Sequence, residues 1–333
     1  MKWNTRATRL LGSLYPIIQG AFGGFGRSDL AAPVSAAGGF GIITASALRT
    51  PERLREDIRR ARSVTDAPFG VNLSIGLCPS VDEMREVAIE ERVPVIFTSA
   101  YRADNHGKRI QEAGLKWVHK VASVQHAIAA ERQGADGVVL VGLEGTAFKS
   151  IHQLPTLVSI TTAVRQMHIP IIAAGGIGDS RGFLAALAMG AEGIYMGTRF
   201  LATDECPVSN KHKQALVEAQ PWDKDYRERA LTPPDPEEYE KMLGKRGDMP
   251  MDQWLQHLEQ VMFKRSPEGE IDWDSGIDVE VALRIAGGSL AVGVIDSVMP
   301  VKDLIDSIIG GAEDMLGSGG DLGRLVEKTD NHR

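Results

Sequence analysis

The stretch "IIAAGGIGDSRGFLAALAMGAEGIYMGTRFL", Ile171 to Leu201, sets the fold. A short apolar run ends in Gly175 and Gly176. A helical segment starts near Asp179, a residue suited to cap a helix N-terminus. A second apolar run, "GIYMGT" (193–198), then ends in another glycine turn, Gly197-Thr198. Strand, tight turn, helix and strand in this order make a βαβ unit, which requires parallel strands. Glycine at such a turn lets an anion approach the backbone, and the following helix N-terminus favours negative charge. Two such turns side by side suit a phosphate.

The same alternation runs upstream. Candidate strands are "PIIQG" (16–20), "GIITA" (41–45), "FGVNL" (69–73), "VIFTSA" (95–100), "KWVHKV" (116–121), "GVVLVG" (137–142) and "PIIAAGG" (170–176), with "GIYMGT" (193–198) as the eighth. Between them lie helical patterns such as "TPERLREDIRRARSV". There Thr50 is placed as N-cap, Pro51 opens the helix and Glu52 sits in the first turn. Eight strands alternating with helices predict an α/β (β/α)8 TIM barrel, whose outer turns after strands seven and eight form the usual phosphate site. A doubly wound sheet is the rival. Gly20, Gly23, Gly24 and Gly26 follow strand one, but not as a G-x-G-x-x-G fingerprint.

Composition narrows the class. The 333 residues carry a net charge of −7, which gives no electrostatic support for nucleic-acid binding. Two cysteines, Cys78 and Cys206, lie far apart and suggest neither a disulfide framework nor a metal cluster. A reduced cytoplasmic setting is the default. No apolar run approaches the roughly 18 residues of a membrane span. After Leu201 the composition shifts to charge, Pro and Trp. Residues 205–279 are read as a helical insertion covering one end of the barrel, with residues 1–204 and 280–325 forming the barrel and 326–333 a frayed tail. Trp222, Tyr226 and Trp254 of the insertion are expected to pack within it. Lys211, Lys213, Lys241, Lys245 and Arg246 could meet the phosphates of a CoA, or form a solvated face.

Active sites of such barrels lie at the C-terminal strand ends. The residues there are Gly20, Ala21 and Phe22; Asn72 and Ser74; Thr98 and Ser99; Lys120; Gly142 to Thr146; Ala174, Gly175 and Gly176; and Gly197 and Thr198. Backbone donors, small polar side chains and one cation suit a planar, phosphorylated ligand.

Several stretches carry a resemblance: "PIIQGAFGG", "AAPVSAAGGFGIITA", "PFGVNL", "HKVASVQHAIAAERQGADGVVLVGLEG", "IPIIAAGGIGDSRGFLAALAMGAEGIYMGTRFLAT" and "GVIDSVMPVKDLI". They resemble the nitronate monooxygenase (2-nitropropane dioxygenase) family, which includes FMN-dependent enoyl-ACP reductases and NADH:quinone reductases. The resemblance covers residues 10–204 and about 285–315 and implies one FMN bound at the mouth of a TIM barrel. By position, Gly20, Ala21 and Phe22 would line the ring edge, and Asn72 and Ser74 its polar side. Lys120 would sit near the ring's pyrimidine end. Gly142, Gly145 and Ala174 would neighbour the flavin, and Gly175, Gly176, Gly197 and Thr198 would hold its phosphate.

One departure matters. Family members that oxidise nitronates carry a histidine after strand six that acts as a base. Here the run is Glu144-Gly145-Thr146-Ala147-Phe148, and Phe148 cannot take a proton. Val141 stands where relatives often have an aspartate, which makes the site more apolar. His152, Lys149 and Tyr101 are the candidate proton-transfer residues, with solvated or packing roles as the alternative. His119 is expected either to orient the Lys120 region or to be buried and satisfied, and Asp179 to cap its helix. The resemblance therefore implies NADH- or NADPH-dependent reduction of an electron-poor alkene, including a CoA or acyl-carrier thioester, or of a quinone. The alternatives are nitronate oxidation and an inactive flavin-binding barrel. A homodimer is compatible with the class, and no stretch marks an interface.

Overall fold

A computed structural model describes residues 1–21, 26–76, 78–146, 150–231 and 289–317, with isolated positions beyond them. Eight strands form one parallel sheet: β1 (Ile17–Gln19), β2 (Ile42–Thr44), β3 (Gly70–Ser74), β4 (Val95–Ser99), β5 (Lys116–Val121), β6 (Gly137–Val141), β7 (Ile171–Ala174) and β8 (Gly193–Met196). Their order is β1-β8-β7-β6-β5-β4-β3-β2. An isolated parallel bridge, Ile18 to Phe40, brings β1 beside the chain entering β2 and closes the ring. This is a TIM barrel, as the alternation predicts.

The helices are α1 (Arg6–Leu11), α2 (Ser28–Ala36), α3 (Ala45–Leu48), α4 (Pro51–Val64), α5 (Val81–Glu90), α6 (Asp104–Glu112), α7 (Val124–Arg132), α8 (Thr156–Ala163), α9 (Ser180–Ala188), α10 (Thr198–Leu201), α11 (Asn210–Glu218), α12 (Lys224–Leu231) and α13 (Val301–Leu316). In α4, Leu54, Ile58 and Ala61 recur at helical spacing and are buried, while the arginines face out. The Thr50 hydroxyl accepts the Arg53 N–H, as the capping pattern predicts. Helix α13 packs against α9 and α2, completing the outer ring between the ends of the chain.

Pleating sorts each strand's side chains into two cores. The outer layer, between sheet and helices, takes Ile17, Ile43, Val71, Ile96, Trp117, Leu140, Ala173 and Ile194. The barrel interior takes Ile18, Ile42, Val95, Phe97, Val118, Val139, Ile172 and Tyr195, joined by Ala7, Leu10 and Leu11 of α1. Helix α1 thus plugs the end of the barrel where the strands begin, since Leu10 lies against Gly137 at the start of β6. The open end is the one where the strands finish.

Among its described residues, the segment after β8 carries helices α11 and α12 joined by turns. A bridge from Thr203 to Met299 ties its entry to the chain leading into α13. Tyr226 packs inward and donates its hydroxyl to the Ser289 carbonyl at 3.1 Å. Trp222 departs from expectation: it is 72% exposed, because the neighbouring Pro221, not the indole, packs against Gly293. Trp254 and Arg246 lie outside the described residues, as does much of the span read as the insertion.

Candidate active site

The inner faces of the strand ends define the site. Register places Thr44 beside Asn72, and Ser74, Ser99 and Lys120 in one row across β3, β4 and β5. Asn72 donates from its amide to Ser74 Oγ at 3.1 Å and to Ser99 Oγ at 3.3 Å. The Ser99 hydroxyl donates to Ser74 Oγ at 3.2 Å. Two buried atoms in this corner have no protein partner: the Asn72 side-chain carbonyl and the Thr44 hydroxyl. Leaving a buried polar atom unsatisfied costs on the order of 1–3 kcal/mol, so such atoms point to a ligand that would complete them.

Beside this polar corner, Lys120 on β5 meets Tyr195 on β8 across the mouth. The Lys120 ammonium lies 5.4 Å from the centre of the Tyr195 ring. Burial disfavours its charge and pushes its pKa down to about 8. The Tyr195 hydroxyl accepts the Ala21 N–H at 2.5 Å, fixing the exit of β1. Burial raises the phenol's pKa. A Cβ on Gly20 would come within 3.0 Å of the Tyr195 ring, so this position needs glycine for the ring to lie there. Val141 and Ala174, side by side on β6 and β7, make the remaining inner wall apolar.

The neighbouring His119 points the other way. It is 4% exposed, stacks near Trp117 in the outer layer, and its Nδ1 is 2.7 Å from Thr98 Oγ1. Burial pushes its pKa down to about 4, so it is neutral. Of the two roles expected for it, His119 takes that of a buried, satisfied histidine rather than one orienting Lys120. Thr98 shares its outward face and accepts the Trp117 indole N–H at 2.7 Å.

The turns after β6 and β7 pack on each other. Gly145 donates its N–H to the Gly142 carbonyl at 2.9 Å, closing a tight turn. Gly175 has a φ of 104° and Gly176 a φ of 73°, which glycine adopts freely. A Cβ on Gly175 would lie 2.9 Å from the Gly145 nitrogen. The glycines at 145 and 175 therefore let the two turns touch, while Gly142 makes room for Thr156 at the start of α8. Glu144 does not face the mouth as a free base: its carboxylate accepts the Thr156 N–H at 2.8 Å and the Thr156 hydroxyl at 2.7 Å, capping α8. Asp179 caps α9 by accepting the Gly182 N–H at 2.7 Å, the role expected of it. That cap takes one of the unpaired N–H groups at the start of α9, beside the glycine turn at 175–176.

At the β8 turn, the Thr198 hydroxyl donates to Ser289 Oγ at 3.0 Å and accepts the Ser289 N–H at 2.8 Å. What Thr198 offers an anion is thus its backbone, with its side chain committed to a residue some ninety positions away. Of the proposed proton-transfer residues, His152 is exposed on the β6–α8 loop. Tyr101 is half-buried and packs against the outer apolar layer. Lys149, Phe148 and Phe22 lie outside the described residues. Lys213 is not a solvated cation: it is 4% exposed and donates to the Asp204 carbonyl at 3.1 Å. Lys211, Lys241 and Lys245 are exposed.

Thr44, Tyr195, Gln153 and Ser289 are the residues that strand-end reading passes over. Thr44 and Tyr195 are recoverable from pleat parity, because each alternates with an outer-core neighbour, Ile43 and Ile194. Gln153 donates to the Val141 and Gly142 carbonyls at 3.1 and 3.0 Å, and Ser289 reaches Thr198 from far along the chain. No local pattern marks either one.

The family model described as nitronate monooxygenase matches residues 4–225. The chain belongs to the nitronate monooxygenase family. It is an enzyme of this family of flavin oxidoreductases. A probable nitronate monooxygenase of Staphylococcus saprophyticus is 32% identical over 267 residues, covering 67% of this chain and 75% of the relative. A Mycobacterium tuberculosis protein named (3aS,4S,5R,7aS)-5-hydroxy-7a-methyl-1-oxo-octahydro-1H-indene-4-carboxyl-CoA dehydrogenase is 34% identical over 220 residues, covering 66% of this chain and 61% of its own. Among solved structures, FabK from Thermotoga maritima is 32% identical, covers 97% of this chain and 99% of its own, and superposes with a TM-score of 0.74. Within this nitronate monooxygenase fold, the partnerless Asn72 and Thr44 oxygens, the Lys120 ammonium and the paired glycine turns fit a flavin mononucleotide: hydrogen-bonding groups for a pyrimidine ring at one end, close backbone approach for a phosphate at the other.

Proposed function

We propose that this chain is an FMN-dependent reductase that uses NADH or NADPH to reduce an electron-poor alkene or a quinone, with enoyl thioesters of CoA or an acyl carrier among the alkenes. The observation that carries the reading is the inner face of the strand ends. Among the described residues, its side chains are Thr44, Asn72, Ser74, Ser99, Lys120, Val141, Ala174 and Tyr195, with neither an imidazole nor a carboxylate. FMN bound there would supply hydride transfer, accepting from the nicotinamide and donating to the acceptor. That chemistry needs no basic side chain at the mouth, because the proton can come from water. Proton abstraction from a neutral nitroalkane does need one. Thr44, Asn72, Ser74 and Ser99 would hold the ring's polar edge. The Lys120 ammonium would stabilise negative charge developing beside it. Val141 and Ala174 would give an apolar acceptor a dry wall. The glycine turns at 175–176 and 197–198 would hold the phosphate. The match to FabK over nearly the whole chain supports this branch of the family.

Nitronate oxidation is the second reading, supported by the family model and by the staphylococcal relative. A nitronate is already anionic and does not require the missing base.

The purified protein separates the two. Under the reductase reading it is yellow, NADH or NADPH bleaches it without oxygen, and an enoyl-CoA or a quinone restores the colour. Bleaching by a nitronate alone, with no response to either nicotinamide, would sink the reductase reading. Phe148→His tests the loop: it is expected to introduce oxidation of neutral nitroalkanes.

A further inference from the structure

We infer that Tyr195 is a positioning residue of this site, its ring holding the Lys120 ammonium at the barrel mouth while its hydroxyl pins the exit of β1. The inference rests on the flavin reading above. Tyr195 is 5% exposed, lies on the inner face of β8 and reaches across to β5. Its ring face is 5.4 Å from the Lys120 nitrogen. Among the described residues no carboxylate lies within ion-pair distance of that ammonium. The π face of Tyr195 is therefore the group that steers it, and such contacts strengthen where water is excluded. The same side chain takes the Ala21 N–H at 2.5 Å. The ring also lies so close to Gly20 that no larger residue fits there. One residue thus sets two parts of the proposed flavin cradle: the cation expected at the pyrimidine end, and the β1 turn expected along the ring edge.

The role predicts coupling. If Tyr195 acts through Lys120, replacing it should matter only while Lys120 is present. The experiment measures the FMN dissociation constant and the flavin midpoint potential of the purified holoenzyme, for the wild type, Tyr195→Leu, Tyr195→Met, Tyr195→Phe, Lys120→Met and the Tyr195→Leu/Lys120→Met double variant. Tyr195→Leu and Tyr195→Met are expected to weaken FMN binding about fivefold to tenfold, the size of a desolvated cation–π contact, and to move the potential to more negative values. Tyr195→Phe keeps the ring face and should hold the wild-type potential, losing affinity only through the unpartnered Ala21 N–H. In the Lys120→Met background, Tyr195→Leu should leave the potential where Lys120→Met puts it. A potential unchanged in both Tyr195→Leu and Tyr195→Met, or an equal shift with and without Lys120, overturns the inference. Tyr195→Met, closer in volume, keeps the test open if Tyr195→Leu does not fold. A wild type that binds no flavin overturns the flavin reading and this role with it. A wild type that binds flavin with unchanged Tyr195 variants overturns this role alone.

Discussion

At the residue scale, His119 and Lys120 show how one step along a strand changes a side chain's task. Adjacent residues of a strand point to opposite faces. His119 enters the outer layer and is neutral and hydrogen-bonded, while Lys120 enters the mouth and keeps an ammonium facing Tyr195. The depressed pKa of His119, about 4, has a consequence for stability. Above about pH 6.5 the imidazole is neutral in both folded and unfolded chains. Between that pH and about 4 the unfolded chain binds a proton that the folded one refuses, so stability falls as pH falls. The full loss is about 3 kcal/mol at about 1.4 kcal/mol per pKa unit. Urea denaturation of the wild type and His119→Gln, measured from pH 7 to 4, should show a shallower decline for the variant. Parallel curves would contradict this account.

At the element scale, helices are tied by side chains that replace missing backbone partners. The first N–H groups of a helix have no partner within it. For α2, the Ser28 N–H and hydroxyl are taken by Asp57 of α4 at 2.8 and 2.6 Å, although Asp57 is only 6% exposed and burial raises its pKa. Asp57→Ala should cost about 1–3 kcal/mol, with Asp57→Asn milder because it still accepts a hydrogen bond. Thermal denaturation at constant pH measures both. Much of this scale was legible in the sequence, for local reasons. Residues 116–121 coincide with β5 because a short run carrying Trp117, Val118 and Val121 lies between the Gly114 turn and Ser123, the cap of α7. Thr50 and Asp179 could be read as caps because a cap is a contact three residues long. The site was legible at Asn72, Ser74 and Lys120 because each stands at the end of a strand, whereas Thr98, also at a strand end, turns outward by pleat parity. It was not where distant segments meet. Ser289 reaches Thr198 only after the barrel is closed, and Trp222 is left in solvent because Pro221 takes its place against Gly293. Such outcomes depend on tertiary neighbours, which no window of sequence contains.

At the scale of the whole molecule, eight strands bring groups separated by more than a hundred residues, such as Thr44 and Tyr195, to the rim of one barrel. The parallel order makes this inevitable, since all strands end on the same side. The other end of the barrel is stoppered by α1, whose Ala7, Leu10 and Leu11 fill the interior. A tube sealed below has a single doorway. If a nicotinamide and an electron acceptor use the same part of the mouth, the first must leave before the second arrives. Steady-state rates measured against both substrates should then give parallel double-reciprocal lines, the signature of ping-pong turnover. Each substrate in excess should inhibit by occupying the doorway out of turn. Intersecting lines would mean that the mouth holds both partners at once. The short helix at the start of the chain, which takes no part in the chemistry, would in this way leave both substrates the same approach.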